Sequence, residues 1–155
     1  MGGGSLMIWA GIGSHGKTDL VIVRGGLNAD RYVNDIVRPH VVPYQAAVGA
    51  NFVLMDDNAT PHRARVTNQF LNNQGIQRLV WPSKSPDLNP LEHLWSHLKY
   101  RVNKRIKPTT TLVGLERILR REWAAIEQVR IDRLINSMRR RCLAVIDADG
   151  GHTRY

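Results

Sequence analysis

Cysteine occurs once in the 155 residues, at Cys142, so a disulfide within the chain is impossible and a reducing compartment is expected, with the nucleus preferred. Apolar residues nowhere run for the roughly 18 to 20 positions that a bilayer-spanning helix needs. The first apolar stretch starts at Leu6, is broken by glycines and follows no charged leader, so neither a signal peptide nor a membrane helix is expected. Gly2 is followed at the sixth position by Leu6 in place of the Ser or Thr of a myristoylation pattern. Internal repeats and low-complexity segments are absent. Acidic residues are few: 13 Asp and Glu stand against 22 Lys and Arg, for a formal charge of +9. That balance is the electrostatic footprint expected of a nucleic-acid partner; no membrane partner is expected. A hydrophobic share of 43% is enough for a core without disulfides or a structural metal, in one domain.

The patterning along the chain is that of an α/β protein. Two apolar runs, 6–12 and 19–24, flank Gly13-Ser14-His15-Gly16-Lys17 and predict a hairpin. Asn28 is placed to cap a helix from Ala29 to about Val37, with Tyr32, Val33, Ile36 and Val37 at helical spacing and Pro39 and Pro43 expected to disturb it. Phe52 to Met55 predicts a short strand buried on both faces. Helix 62–73, closed by Gly75, and strand 76–81, stopped by Pro82, follow. Asn89 as cap and Pro90 as first helical residue predict a long helix to about Arg105, with Leu88, Leu91, Trp95, Leu98 and Val102 as its apolar stripe and Glu92 at the edge. Two more amphipathic helices are expected, one with core positions Leu112, Leu115, Leu119, Trp123 and Ile126, the other with Ile131, Leu134, Ile135, Met138, Cys142 and Val145.

Two carboxylates stand out. Asp57 ends the apolar run Asn51-Phe52-Val53-Leu54-Met55-Asp56, and Glu92 lies at the start of the long helix, with thirty-four residues between them. Carboxylates on a strand end and a later helix can converge on one metal ion. Alternation along the strand sends Asp56 and Asp57 to opposite faces, so only one can enter a given pocket. Each also has an ordinary reading: Asp57 as a turn residue, and Glu92 as the capping-box glutamate that reaches back to Asn89. Asn58 and His62 lie near the site without an assigned role; a hard divalent ion prefers oxygen to His62 nitrogen. His93 and His97 have a zinc-compatible spacing, but the Glu-x-x-His order of a zincin is missing, and solvated imidazoles are expected. Lys99, Arg101, Lys104, Arg105 and Lys107 form either a solvated face or a set of phosphate contacts, and Arg139 to Arg141 the same. Trp9, Trp81, Trp95 and Trp123 lie in apolar patterns and read as core.

The motif Asp57-Asn58-Ala59-Thr60-Pro61-His62, the segment Trp81-Pro82-Ser83-Lys84-Ser85-Pro86-Asp87-Leu88-Asn89-Pro90-Leu91-Glu92, the opening Gly2-Gly3-Gly4-Ser5-Leu6-Met7-Ile8-Trp9 and the run Ser137-Met138-Arg139-Arg140-Arg141 together resemble the DDE transposases of the Tc/mariner superfamily over nearly the whole chain. The resemblance implies a ribonuclease H-like fold, a mixed sheet with flanking helices, in which residues 1–155 form part of the catalytic domain and 109–155 its C-terminal helical portion. It implies cut-and-paste DNA transposition with two magnesium or manganese ions held by three carboxylates, of which Asp57 matches the second aspartate and Glu92 the glutamate. The first aspartate, on the central strand of the family's sheet, has no counterpart; Asp19 and Asp56 are not suited to replace it. The chain is therefore expected to be N-terminally truncated, with an open sheet edge, and not to cleave DNA as it stands. The implied partners are transposon terminal repeats, target DNA, and a second copy or a full-length transposase in a dimer. A non-catalytic DNA-binding or dimerisation module derived from a transposase is the alternative.

Overall fold

The computed structural model describes residues 6–82, 85, 88–149 and 153. In chain order the strands are β1 Met7–Trp9, β2 Ile12–Gly13, β3 Gly16–Lys17, β4 Val21–Val23, β5 Val53–Leu54 and β6 Gln77–Arg78. The helices are α1 Ala29–Arg31, a π-helical stretch Tyr32–Val41, α2 Val42–Val48, α3 Thr60–Arg63, α4 Arg65–Asn73, α5 Pro90–Asn103, α6 Leu112–Ala124, α7 Gln128–Asn136 and α8 Met138–Asp147. Among the described residues no helix is long and apolar enough to cross a membrane. They fall into two compact units.

The Asp57 unit takes the described residues of Ser5–Ala10 and Val21–Ser83. Here β1 and β4 pair antiparallel, Met7 opposite Val23 and Trp9 opposite Val21, as the hairpin reading requires. Asn28 caps α1 by accepting from the Arg31 amide. The helix does not stop at Pro39: it continues as π-helix to Val41 and then as α2. Proline has no amide to donate, and its ring would press on the carbonyl four residues back. Wider winding, with the Val42 amide donating to the Val37 carbonyl, removes that conflict. Pro43, in the first turn of α2, likewise has no amide to give to the turn before it. One face of this helix carries the fully buried Tyr32, Ile36 and Val37, packed with Val23, Leu71 and Ile76. Each such side chain stabilises the unit by about 1.5–3 kcal/mol.

The predicted helix 62–73 is two helices, α3 and α4, because Ala64 is extended at φ −60 and ψ 149. Gly75 ends α4 at φ +65, a left-handed turn that favours glycine. The strand expected over 76–81 contracts to β6, which pairs parallel with β5, Val53 opposite Gln77. Among the described residues no strand pairs with the other edge of β5. Val53, expected to be buried, is 47% exposed.

The Glu92 unit takes those of Gly11–Leu20 and Lys84–Tyr155. Asn89 caps α5 by accepting from the Leu91 amide, and Pro90 opens it. Its core positions are Leu88, Leu94, Leu98 and Val102. Leu94, fully buried, belongs to the stripe in place of Leu91, which is half-buried. Trp95 stacks on Trp123 at 5.4 Å between ring centroids. The Trp123 indole donates to the Thr18 carbonyl, Lys17 Nζ to the Ile126 carbonyl and Gln128 Nε2 to the Gly13 carbonyl. These three bonds hold the β2–β3 turn against the ends of α6 and α7. The last predicted helix is split in two: the Ser137 hydroxyl donates to the Leu134 carbonyl, and α8 begins at Met138. Cys142 is exposed and not core, while Arg141 is buried with Nε donating to Ser137 Oγ. Leu112 is exposed as well.

Candidate active site

Asp57 stands three residues beyond β5, and its side chain is 63% exposed. Its Oδ1 accepts from the Ala59 amide at 3.0 Å and lies 2.7 Å from His62 Nδ1. The first contact is an Asx-type turn, the expected local use of such an aspartate; it still leaves Oδ2 facing solvent. The His62 ring packs on the buried Tyr32 ring, centroids 4.2 Å apart. Burial, then the Asp56 charge, push the Tyr32 phenol above its ordinary range, so it stays neutral.

Asp56 points the other way, as strand alternation requires, and its side chain is only 7% exposed. Arg63 Nη1 lies 3.0 Å and Arg78 Nε 3.4 Å from its Oδ1. These are oblique ion pairs: neither Asp56 oxygen completes a hydrogen bond of ordinary geometry among the described residues. Desolvation outweighs both cations and holds the carboxyl above its usual range. Arg63 also donates through Nε to Asn58 Oδ1 at 2.9 Å and through Nη2 to the Asp56 carbonyl. Arg78 donates to the His62 carbonyl at 2.9 Å and to Asn68 Oδ1, and Asn58 Nδ2 to the Trp81 carbonyl. One guanidinium thus grips the residues on both sides of Asp57, and a second grips the backbone at His62. The loop presents an exposed carboxylate on a fixed frame.

Glu92, exposed on the first turn of α5, lies in the other unit. Asn89 Nδ2 is 3.5 Å from its Oε1, the outer limit of a hydrogen bond, and this is a side-chain contact, not the backbone-amide bond of a capping box. His93 is exposed and His97 half-buried, a departure from two solvated rings. Partial burial, then Arg141 for His93 and Arg130 for His97, lower both imidazoles, which are therefore neutral at pH 7. Of the five cations expected to meet DNA, Arg101 and Arg105 pair with Glu122 and Lys104 lies 4.3 Å above the Tyr100 ring, while Lys99 and Lys107 are exposed. Arg139 and Arg140 are exposed too. The motif residues Ser83, Lys84, Pro86 and Asp87, with Gly2 to Ser5, lie outside the described residues.

The structure therefore gathers Asp57, Asn58 and His62 and keeps Glu92 in its own unit. Among the described residues no group of three or more His, Cys, Asp or Glu is placed to hold a metal ion. The exposed oxygens of Asp57 and Glu92 fit hard divalent ions by type, while their number falls short of a complete set. Sequence reasoning missed Arg63, Arg78 and Glu122. Two signals were present: Asp56 on a buried strand face requires a cation, and Glu122 is in helical phase with Leu119 and Ile126.

Among the described residues the strands pair as three two-stranded ladders, two antiparallel and one parallel, in place of the expected single mixed sheet; the ribonuclease H-like class rests on likeness to solved structures. The catalytic domain of the Mos1 transposase with raltegravir and Mg matches with a TM-score of 0.83 at 18% identity, over 96% of this chain and 77% of that one. The Mos1 strand transfer complex matches with 0.79 at 19% identity, over 96% and 44%. A family model, the DDE superfamily endonuclease, matches residues 3–112 and so includes Asp57 and Glu92. The chain belongs to that family, on its Tc/mariner branch. It is 36% identical to the Tc1 transposase of Caenorhabditis elegans and 35% identical to the Tcb2 transposase of Caenorhabditis briggsae, across 99% of this chain. It spans 56% of the length of each.

Proposed function

We propose that the chain supplies two of the metal-binding carboxylates, Asp57 and Glu92, of a catalytic domain that cuts and joins DNA by cut-and-paste transposition. The observation that carries this reading is the frame around Asp57: an exposed carboxylate flanked by two residues that Arg63 fixes at 2.9–3.2 Å. Such bracing exceeds what a turn aspartate needs and suits a ligand that must be placed within a fraction of an ångström. Bound magnesium or manganese would activate the attacking oxygen and stabilise the leaving one. Toward that chemistry, Asp57 and Glu92 bind, His62 orients Asp57 through the 2.7 Å contact, and the cations of α5 and its exit, Lys99 to Lys107, hold DNA phosphates. Nuclear location, the terminal repeats as substrate, and a second copy or full-length transposase as partner belong to the same reading.

Residues 1–155 by themselves do not complete the metal site and do not cleave DNA. The unpaired edge of β5, with Val53 exposed beside it, supports a sheet completed by a further strand. Magnesium-dependent nicking of terminal-repeat DNA by the purified chain, abolished by Asp57→Ala, would sink the inactivity claim. The incomplete donor set also favours a second reading, a non-catalytic DNA-binding or dimerisation module. Preference for terminal repeats over unrelated DNA of equal length, without cleavage, is its expected signature; equal affinity for both removes its support.

A further inference from the structure

The α5 and α6 residues of the Glu92 unit carry a charge arrangement that the metal site does not use. Glu122 sits on the core-facing side of α6, with its side chain only 3% exposed. Three guanidiniums converge on it: Arg101 Nε at 2.7 Å from Oε2, Arg121 Nη2 at 3.2 Å and Arg105 Nε at 3.4 Å from Oε1. The Arg101 hydrogen bond holds the Glu122 carboxyl below its usual range against desolvation, and Arg121 adds to the effect. One arginine would satisfy a buried carboxylate. Three leave a cluster with an excess of two positive charges.

The excess faces solvent. The Arg105 and Arg121 side chains are 57% and 60% exposed, and among the described residues neither meets a carboxylate other than Glu122. Arg101 lies on the last turn of α5 and Arg105 two residues past its end; both engage Glu122 through Nε, and among the described residues their Nη groups meet no other carboxylate. Anchored guanidiniums lose less side-chain freedom on binding than solvated ones. Next to them lie the exposed Tyr100 ring and Lys104. Planar forks in a row match the tetrahedral oxygens of successive phosphates, which each can grip with two bonds.

We propose that Arg101, Arg105 and Arg121, ordered by Glu122, form a binding site for the phosphate backbone of duplex DNA. The site rests on the DNA-partner reading above and deepens it: it adds Arg121 and Glu122, which the sequence did not single out, and ranks the arginine cluster above Lys99 and Lys107. Contacts of this kind position DNA and read no sequence.

The test is fluorescence anisotropy of a labelled duplex of arbitrary sequence with the full chain, titrated across salt. Arg105→Gln and Arg121→Gln are the variants, because both side chains are more than half exposed and their loss leaves the 2.7 Å Arg101 pair in place. Arg133→Gln, an exposed cation of α7 outside the cluster, makes the same change in net charge and is the control. Each cluster variant is expected to reduce the slope of log affinity against log salt by about 1. The ratio of wild-type to variant affinity then shrinks about fourfold between about 50 and 200 mM salt. Arg133→Gln should change the slope by less than about half as much. Equal losses for all three variants would overturn the cluster and leave general DNA attraction standing. No binding by the wild-type chain at about 50 mM salt would overturn both the cluster and the DNA-partner reading. Tighter retention of duplex RNA than of DNA would reassign the surface to RNA. Unchanged thermal midpoints of the variants establish that the loss is one of contact.

Discussion

Replacing Arg63 with Met removes the charge that faces Asp56 and keeps the aliphatic stem. Breaking a buried ion pair by deleting one partner costs roughly 3–5 kcal/mol. Two features reduce that figure here. The Arg63 side chain is 29% exposed, so water can reach part of the gap, and Arg78 remains 3.4 Å from the Asp56 carboxylate. The hydrogen bond to Asn58 contributes little, because Asn58 is exposed and water replaces the donor. A loss of about 2 kcal/mol is expected, which for a chain of this size is a fall of about 4–8 °C in the thermal midpoint. The assay is urea and thermal unfolding at neutral pH. Asp56→Asn introduced into the Arg63→Met chain should restore part of the loss, because it removes a buried carboxylate that has lost one of its two cations. A cost below about 0.5 kcal/mol, the range of an ordinary surface change, or a double variant less stable than Arg63→Met alone, would refute the argument that Arg63 is the main support of the Asp57 loop.

The remaining predictions concern five other positions. Leu94→Ala should cost about 2–5 kcal/mol and Leu91→Ala distinctly less, since only Leu94 is fully buried; equal costs by urea unfolding would contradict the α5 core. Gly75→Ala should destabilise by about 1–2 kcal/mol, all of it conformational, because the φ of +65 is strained for alanine although nothing lies within 4 Å of the added Cβ. Glu92→Gln should unfold within about 0.5 kcal/mol of wild type, given that its contact with the Asn89 side chain is a long 3.5 Å, yet lose manganese affinity in calorimetry. Glu122 has its folded pKa depressed below the ordinary 4.5. Its stabilisation is therefore full above that value and is lost as pH falls through the lower folded one. The thermal midpoint should drop from about pH 5 to pH 3 and drop less in Glu122→Gln; identical drops would show that Glu122 is not responsible.

Periodicity and capping carried much of the fold, and the failures were local. The cap at Asn28 and the Asn89-Pro90 start of α5 were legible because each uses a side chain on its own helix end. Pro39 misled, since a proline reads as a stop unless the helix widens, and no residue pattern announces a π-helical turn. The split at Ser137 depends on a hydroxyl bonding back to Leu134, a choice that competes with continued winding and leaves the apolar spacing unchanged. At the site, the carboxylates were visible from their motifs, whereas their supports were not. Arg63, Arg78 and Glu122 act across 7 to 22 residues of sequence, and in a chain with 22 basic residues no composition argument selects which cations pair.

The central claim is that Asp57 and Glu92 serve one metal site. Manganese added to isotope-labelled chain, followed by paramagnetic broadening of backbone amide signals, tests it most directly. The account predicts that signals of residues 56–62 and 89–93 fade together at one low manganese concentration, and that Asp57→Ala or Glu92→Gln alone abolishes both effects. Broadening confined to one segment, or loss of one effect with the other intact, would contradict it.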